Sequence, residues 1–266
     1  MNVRILLAVC LLAGLMAGWP GTGSAQRGGR GGRGGQAPAT AREAAPADLT
    51  GTWVSVITED WRWRMVTPAR GDFASVPLNA TGREAGLAWD PAADRAAGLE
   101  CRAYGAAALM RAPGRVRISW EDDNTLRIDA DAGAQTRILH FGGGAPADFE
   151  PTWQGYSVAN WEGPVRGSLT PQSALGAVRT GTSPRSLEVV TTGMRPGYLR
   201  KNGVPYSGDA VLREFVTAFA GPDGDEWFVV TSVVEDPVYL SEPFVTSSNF
   251  KKESGDGGWN PTPCGD

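Results

Sequence analysis

The sequence predicts an all-β fold, an antiparallel barrel of roughly 8–10 strands with at most one or two short helices. Three observations lead to this prediction. The 266 residues include 36 Gly and 19 Pro that separate short apolar runs, residues 115–141 alternate apolar with polar side chains, and no long amphipathic helical pattern occurs. That many antiparallel strands in one domain need closure, or a second sheet, to hide their edges.

The clearest part of this pattern is the segment 115–141. Residues 115–120 alternate polar with apolar side chains, which is the period of two of a half-buried strand. Turn residues at 121–124 and 132–133 then separate two further alternating runs. The segment therefore predicts a three-stranded antiparallel meander.

Apolar runs between turn residues predict the other strands. They lie at 51–57, 61–66, 153–161, 186–194, 227–235 and 244–251. The segment 209–219 is interpreted as a strand because its neighbours are strands, although its apolar spacing also suits a helical face. The Ala-rich segment 92–110 is predicted to contain the one short helix, and 83–89 a further helical turn.

The first 25 residues have the pattern of a secretory signal peptide. Arg4 precedes the apolar run 5–16, and the small residues Gly23, Ser24 and Ala25 end the pattern. The run is shorter than the roughly 20 residues that a membrane-spanning helix needs. We therefore predict a signal peptide at 1–25, export to the periplasm or the extracellular space, and no transmembrane segment after cleavage.

Residues 26–47 predict a disordered linker, because an Arg/Gly-rich repeat and an Ala/Pro-rich stretch offer too few apolar side chains to fold. The whole chain has 25 Lys and Arg against 29 Asp and Glu. An acidic protein lacks the basic face that a nucleic acid needs, so no nucleic-acid partner is predicted. Residues 48–266 are predicted to form a single β-barrel domain with a Pro-rich C-terminal tail.

Cys101 and Cys264 are the two cysteines that follow the predicted cleavage site. In an oxidising compartment two such cysteines most simply form a disulfide bond. Two separate free thiols are the alternative. A bond would attach the tail, residues 259–264, to the domain.

Aromatic and cationic side chains mark two candidate ligand-binding segments. In the predicted strand 61–66, Trp61 and Trp63 share one face, where they would either line a cavity for an apolar or sugar-like ligand or pack as core rings. The second segment, 194–207, is predicted to be irregular because of its Gly and Pro residues, and to serve as a recognition loop or as a structural cover. Its candidate binding residues are Arg195, Tyr198, Arg200 and Tyr206.

His140 is the only histidine and the last candidate binding residue, with a structural role as the alternative. A single His excludes zinc sites built on two or three imidazoles. The chain has no Gly-x-Ser-x-Gly nucleophile motif and no phosphate-binding loop. Acidic clusters fall at predicted turns, where solvated turn residues are the simplest interpretation. No metal and no cofactor are therefore predicted, and no catalytic residue is identified.

The first predicted strand begins with Gly51, Thr52 and Trp53. This start resembles the Gly-x-Trp that opens lipocalin-like (calycin) barrels, in which the Trp closes one end of the cavity. Longer stretches are similar to an uncharacterised group of exported bacterial proteins, at 61–68, 120–129, 191–207, 234–244 and 259–264. The resemblance implies a lipocalin-like barrel.

Together these features predict an exported lipocalin-like protein that binds a small apolar, amphipathic or sugar-like ligand. Binding is favoured over catalysis. Two alternatives stay open. One is a carboxylate-based hydrolase, lyase or isomerase in the barrel cavity, and the other is a structural or interaction protein of the cell envelope without a pocket. The sequence identifies no protein partner.

Overall fold

Nine strands form a closed barrel in the computed structural model, which describes residues 39–162, 186–255 and 257–265. The predicted signal peptide at 1–25 and residues 26–38 of the predicted linker lie outside the described residues. The strands, in chain order, are β1 (Gly51–Val56), β2 (Arg115–Asp122), β3 (Thr125–Ala130), β4 (Gln135–Phe141), β5 (Tyr156–Trp161), β6 (Ser186–Thr192), β7 (Gly197–Arg200), β8 (Val204–Tyr206), β9 (Val211–Ala220), β10 (Glu226–Glu235) and β11 (Phe244–Lys252).

The order around the barrel is β1, β11, β10, β9, β6, β5, β4, β3, β2, while β7 and β8 form a separate hairpin. The predicted all-β barrel is thereby confirmed. The predicted meander corresponds to β2, β3 and β4, and the segment 209–219 is a strand, β9. One pair, β4 and β5, is parallel rather than antiparallel. A parallel pair needs a crossover of a dozen or more residues, and the segment 142–155 provides it.

Four short α-helices and one 3-10 helix occur in the described residues, where the sequence predicted at most one or two helices. They are α1 (Trp61–Arg64), α2 (Ala80–Leu87), α3 (Pro91–Ala96), α4 (Ala106–Leu109) and the 3-10 helix η1 (Glu100–Tyr104). Side-chain caps explain two of the starts: Asn79 accepts from Gly82 N–H, and Asp90 accepts from two N–H groups of α3. None of the described helices is long and apolar enough to cross a membrane.

The predicted strand at 61–66 is wrong, because helix α1 occupies this segment. Asp60 adopts a left-handed conformation with φ 51° and ψ 21°, which turns the chain out of an extended path. The helical hydrogen bond from Met65 N–H to the Trp61 carbonyl then closes at 2.9 Å. Trp61 and Trp63 consequently do not share a strand face: Trp61 is 64% exposed, whereas Trp63 is half-buried.

The barrel interior is packed with side chains. Trp53 is fully buried, its indole N–H donates to the Leu49 carbonyl at 2.9 Å, and its ring meets Phe228 edge-on at 4.7 Å. A buried ion pair crosses the same interior between Arg137 Nη2 and Glu214 Oε2, 2.6 Å apart. This interior therefore combines an apolar core with one charged pair.

Strands β1, β3, β6 and β10 finish at one end of the barrel, here called the capped end, since each is antiparallel to its neighbours. The segments 57–114, 193–210 and 236–243 all leave from this end. Apolar side chains from these segments and from the strand ends form a second core. It consists of Phe73, Val76, Leu78, Ala106, Ala107, Met194, Leu199, Val204, Tyr206, Ala210, Leu212, Val234, Leu240 and Phe244.

The disulfide bond between Cys101 and Cys264 is confirmed, with the two Cα atoms 5.1 Å apart. It attaches the C-terminal tail to η1. Thr262 N–H also donates to the Asp131 carbonyl at 2.9 Å, so the tail returns to the capped end after β11.

The last residues of the predicted linker contact the barrel. Ala41 N–H donates to the Asn124 side chain at 2.9 Å, and Arg42 N–H donates to the Asp123 carbonyl at 3.0 Å. The Trp161 indole N–H donates to the Ala41 carbonyl at 2.8 Å. Contact with the barrel thus begins before residue 48, the predicted start of the domain.

Candidate functional site

The segment 194–207 is not irregular as predicted, because it contains the β7–β8 hairpin. Gly203, with φ +78°, supplies the left-handed conformation that the turn requires, and the Trp89 ring packs where a Cβ would lie. Pro205 is tolerated because, among the described strands, β8 pairs with β7 alone. Asn202 fixes the turn to the segment after α1 by donating to the Ala69 and Asp72 carbonyls, each at 3.0 Å.

A cavity of about 310 Å³ lies between this hairpin, α3, η1 and the C-terminal tail. We call it the aromatic cleft. Its lining consists of Thr67, Trp89, Pro91, Asp94, Arg95, Leu99, Glu100, Ala103, Tyr104, Tyr198, Lys201 and Gly265. None of these residues lies on a barrel strand, so the cleft is outside the barrel interior.

One carboxylate, that of Asp94, accepts hydrogen bonds from three side chains in or beside the cleft. It accepts hydrogen bonds from the Trp89 indole N–H at 3.2 Å, from Arg102 Nη1 at 2.7 Å and from the Tyr198 hydroxyl at 2.6 Å. Burial raises the pKa of Tyr198 to about 12, and the Asp94 carboxylate acts in the same direction. The Tyr198 hydroxyl is therefore protonated at neutral pH and acts as a donor.

A smaller cavity of about 40 Å³, here called the arginine pocket, adjoins the cleft. Both cavities share the lining residues Thr67, Ala103 and Lys201. The rest of the pocket is lined by Trp63, Arg64, Ala108, Arg111, Ala112, Pro113, Leu199 and Arg200. We call the two adjoining cavities together the recess, which has an aromatic part and a basic part.

Three guanidinium groups of the arginine pocket are buried. The Arg64 and Arg111 side chains are 1% and 7% exposed, and Arg200 is 4% exposed. Arg64 Nη1 pairs with Glu59 Oε1 at 2.5 Å, and Arg111 Nη1 pairs with Asp60 at 3.2 Å. Glu59 and Asp60 therefore each pair with a buried arginine.

Arg200 differs from the other two arginines because it has no ion-pair partner among the described residues. Its Nη1 donates to the Ala74 carbonyl at 2.6 Å, and its guanidinium carbon lies 5.0 Å from the Trp63 ring centroid and 5.8 Å from that of Phe244. Burial lowers the pKa of Arg200 to about 10, and the charge of Arg111 acts in the same direction. Arg200 is still charged at neutral pH.

Four buried nitrogen atoms of residues that line the pocket have no hydrogen-bond acceptor within the described ranges. They are Arg64 Nη2, Arg200 Nε, Arg200 Nη2 and Trp63 Nε1. Buried donors without an acceptor are rare in folded proteins and cost about 1–3 kcal/mol each. The arginine pocket therefore brings together several unpaired hydrogen-bond donors, most of which belong to positively charged arginine side chains.

The structure brings together three of the seven candidate binding residues: Trp63 and Arg200 line the arginine pocket, and Tyr198 lines the cleft. Trp61 is exposed on α1. The remaining three candidates lie elsewhere. Arg195 is exposed, with its guanidinium 4.3 Å from the Trp153 ring centroid, Tyr206 is fully buried in the second core, and His140 stacks on Tyr156 at 4.5 Å.

Sequence reasoning missed the residues that connect the candidates, above all Trp89, Asp94, Arg64 and Arg111. The Asp-Pro step at 90–91 is a helix-start signal that places Asp94 in the first turn of α3. No signal along the chain places that carboxylate beside Tyr198, because the two residues meet only through the barrel topology.

Comparison of the chain with protein-family models, with curated proteins and with solved structures found no match. The resemblance of residues 51–53 to lipocalin-like barrels therefore stays a prediction. The geometry of the two adjoining cavities is what bears on function.

Proposed function

We propose that this protein binds a small amphipathic ligand in the aromatic cleft at the capped end of the barrel. The observation that carries the proposal is the cleft itself, whose volume of about 310 Å³ is within the range of small-molecule sites, about 300–1,000 Å³. Aromatic and apolar walls with a few oriented polar groups are also typical of such sites.

The walls of the cleft suit an apolar body with a polar end. The Trp89 and Tyr198 rings meet edge-to-face at 6.2 Å, and Leu99 adds an aliphatic wall. At the other side the Lys201 ammonium lies 4.7 Å from the Tyr104 ring centroid. At about 10–15 Å³ of cavity volume per water-sized group, the cleft has room for an apolar chain of about ten carbon atoms.

This proposal changes the location of the predicted site. The sequence pointed to a cavity inside the barrel, whereas the interior is packed around Trp53, Phe228 and the Arg137–Glu214 pair. The cleft is formed instead by the segments that cover the capped end. The Cys101–Cys264 bond supports the proposal that the protein is exported, because such bonds persist in oxidising compartments.

The proposal is tested by titrating the oxidised full-length protein with the neutral fluorescent probe N-phenyl-1-naphthylamine. We expect saturable binding that decanol displaces. Trp89→Ala is expected to weaken probe binding about tenfold or more, because the ring supplies a wall of the cleft. The matched control is Trp61→Ala, which removes an exposed Trp that lines neither cavity and should leave the affinity unchanged.

A second variant separates loss of the site from loss of the fold. Ala103→Leu adds volume at the junction of the two cavities and leaves the Asp94 hydrogen bonds in place. It is expected to weaken probe binding while the thermal unfolding curve stays close to that of the wild type. No saturable binding to the wild type, or equal binding by the wild type, Trp89→Ala and Ala103→Leu, contradicts the proposal.

A further inference from the structure

We infer that the arginine pocket is a subsite for the carboxylate of an amphipathic acid whose apolar body lies in the aromatic cleft; this inference rests on the proposed function. It names the chemical class of the ligand. The recess would then take a medium-chain carboxylic acid, or an aromatic acid of similar size, in preference to a neutral molecule of the same shape.

The free edge of Arg200 carries the inference furthest. Its unpaired Nε and Nη2 groups are the two donors that form one side of the guanidinium fork, which matches the two oxygens of a carboxylate. The same chain shows this edge in use elsewhere. Arg115 binds the Glu253 carboxylate through Nε at 2.7 Å and Nη2 at 3.1 Å, and Arg127 binds Asp129 through Nε at 2.8 Å and Nη2 at 2.9 Å.

Two further donors line the same pocket. Arg64 Nη2 and Trp63 Nε1 are buried and have no acceptor among the described residues. A carboxylate has about four lone-pair positions, so one bound head group has enough acceptor capacity for one hydrogen bond from each of the four unpaired nitrogen atoms. The set of donors thus fits a carboxylate better than a hydroxyl group, which accepts two hydrogen bonds.

Among the described residues around the pocket, positive charges outnumber negative charges. The three arginines face two carboxylates, those of Glu59 and Asp60. Asp72 pairs with the exposed Arg62 at 3.7 Å and also attracts the Arg200 guanidinium electrostatically. Lys201 adds a positive charge at the junction with the cleft. A monoanionic head group would compensate the remaining charge, and a buried unpaired charge is otherwise strongly destabilising.

The sizes of the two cavities agree with this division of the ligand. The arginine pocket has a volume of about 40 Å³. It has room for about three water-sized atoms, at about 10–15 Å³ of cavity volume for each. A carboxylate group has three non-hydrogen atoms. The body of the ligand is too large for the pocket and extends past Thr67 and Ala103 into the cleft.

The test compares two competitors of equal chain length, decanoate and decanol, for displacement of N-phenyl-1-naphthylamine at neutral pH. We expect the wild type to prefer decanoate by about tenfold or more. Arg200→Met should reduce this preference to near parity, chiefly by weakening the binding of decanoate. The control is Arg195→Gln, which alters an exposed cation of the same segment that lines neither cavity and should retain the preference.

Arg200→Met is chosen because it should fold. It removes a buried charge that has no ion-pair partner among the described residues and that is costly to desolvate, so its melting temperature without ligand should equal or exceed that of the wild type. Equal competition by decanoate and decanol in the wild type, or a full preference in Arg200→Met, would overturn the inference. Those results leave the proposed function standing, because it is contradicted by a different outcome: no saturable probe binding to the wild type, or equal probe binding by the wild type, Trp89→Ala and Ala103→Leu.

Discussion

Arg137→Met is expected to lower the free energy of unfolding by about 3–5 kcal/mol, because it leaves the Glu214 carboxylate charged and buried without its partner. Both side chains are 2% exposed. The guanidinium also donates to Ser157 at 3.2 Å and to Thr191 at 2.7 Å, and these two hydroxyls lie 2.8 Å apart. The substitution therefore breaks a hydrogen-bonded network in the barrel interior. Urea unfolding measures the effect.

A neighbouring ion pair provides the matched control. Arg213 precedes Glu214 on β9, faces outward and pairs with Glu188 at 2.6 Å. Because this pair is solvated, Arg213→Met should cost less than about 1 kcal/mol. The double variant Arg137→Met/Glu214→Leu should recover most of the stability lost by Arg137→Met alone. Similar losses for Arg137→Met and Arg213→Met would contradict this interpretation of the interior pair.

Removal of the disulfide bond by Cys101→Ser/Cys264→Ser is expected to lower the free energy of unfolding by up to about 5 kcal/mol, because the bond closes a long loop in the unfolded chain. The two cysteines are 163 residues apart in the sequence. Urea unfolding of the variant beside the oxidised wild type measures this loss.

The same variant should also weaken probe binding in the aromatic cleft. Cys101 is part of η1, which contributes Glu100, Ala103 and Tyr104 to the lining, and Cys264 precedes the lining residue Gly265. Without the bond these two walls are no longer joined. Unchanged probe affinity in a variant that is still folded would show that the bond stabilises the barrel without supporting the cleft.

The sequence predicts the barrel well because its strands carry local signals. The alternation at 115–141 and the turn residues around it identify β2, β3 and β4, and the segment 209–219 follows from its neighbours. The disulfide bond follows from the compartment that the N-terminal pattern predicts. Helix α1 was missed because the chain leaves its extended path at Asp60. The left-handed conformation of that residue produces no periodic pattern that could be recognised in the sequence.

The candidate site could be predicted only in part because it is formed by segments that are distant along the chain. Tyr198 and Arg200 were identified because their segment is rich in aromatic and cationic residues. Asp94 was not, because it lies 104 residues before Tyr198, to which it is hydrogen-bonded. These residues meet because the connections after β1 and β6 leave from the same end of the barrel. The burial of Arg64 likewise depends on Arg111, whose carbonyl accepts from Arg64 Nε at 2.8 Å.

The indole N–H signals in a proton–nitrogen correlation spectrum test most directly whether an acidic head group occupies the arginine pocket. The Trp63 N–H has no acceptor among the described residues, whereas the Trp89 N–H donates a hydrogen bond to the Asp94 carboxylate. Trp63→Phe and Trp89→Phe assign the two signals. We expect decanol to shift the Trp89 signal alone, and decanoate to shift both, with the Trp63 signal moving downfield as it gains an acceptor. A Trp63 signal that does not move in saturating decanoate would contradict this.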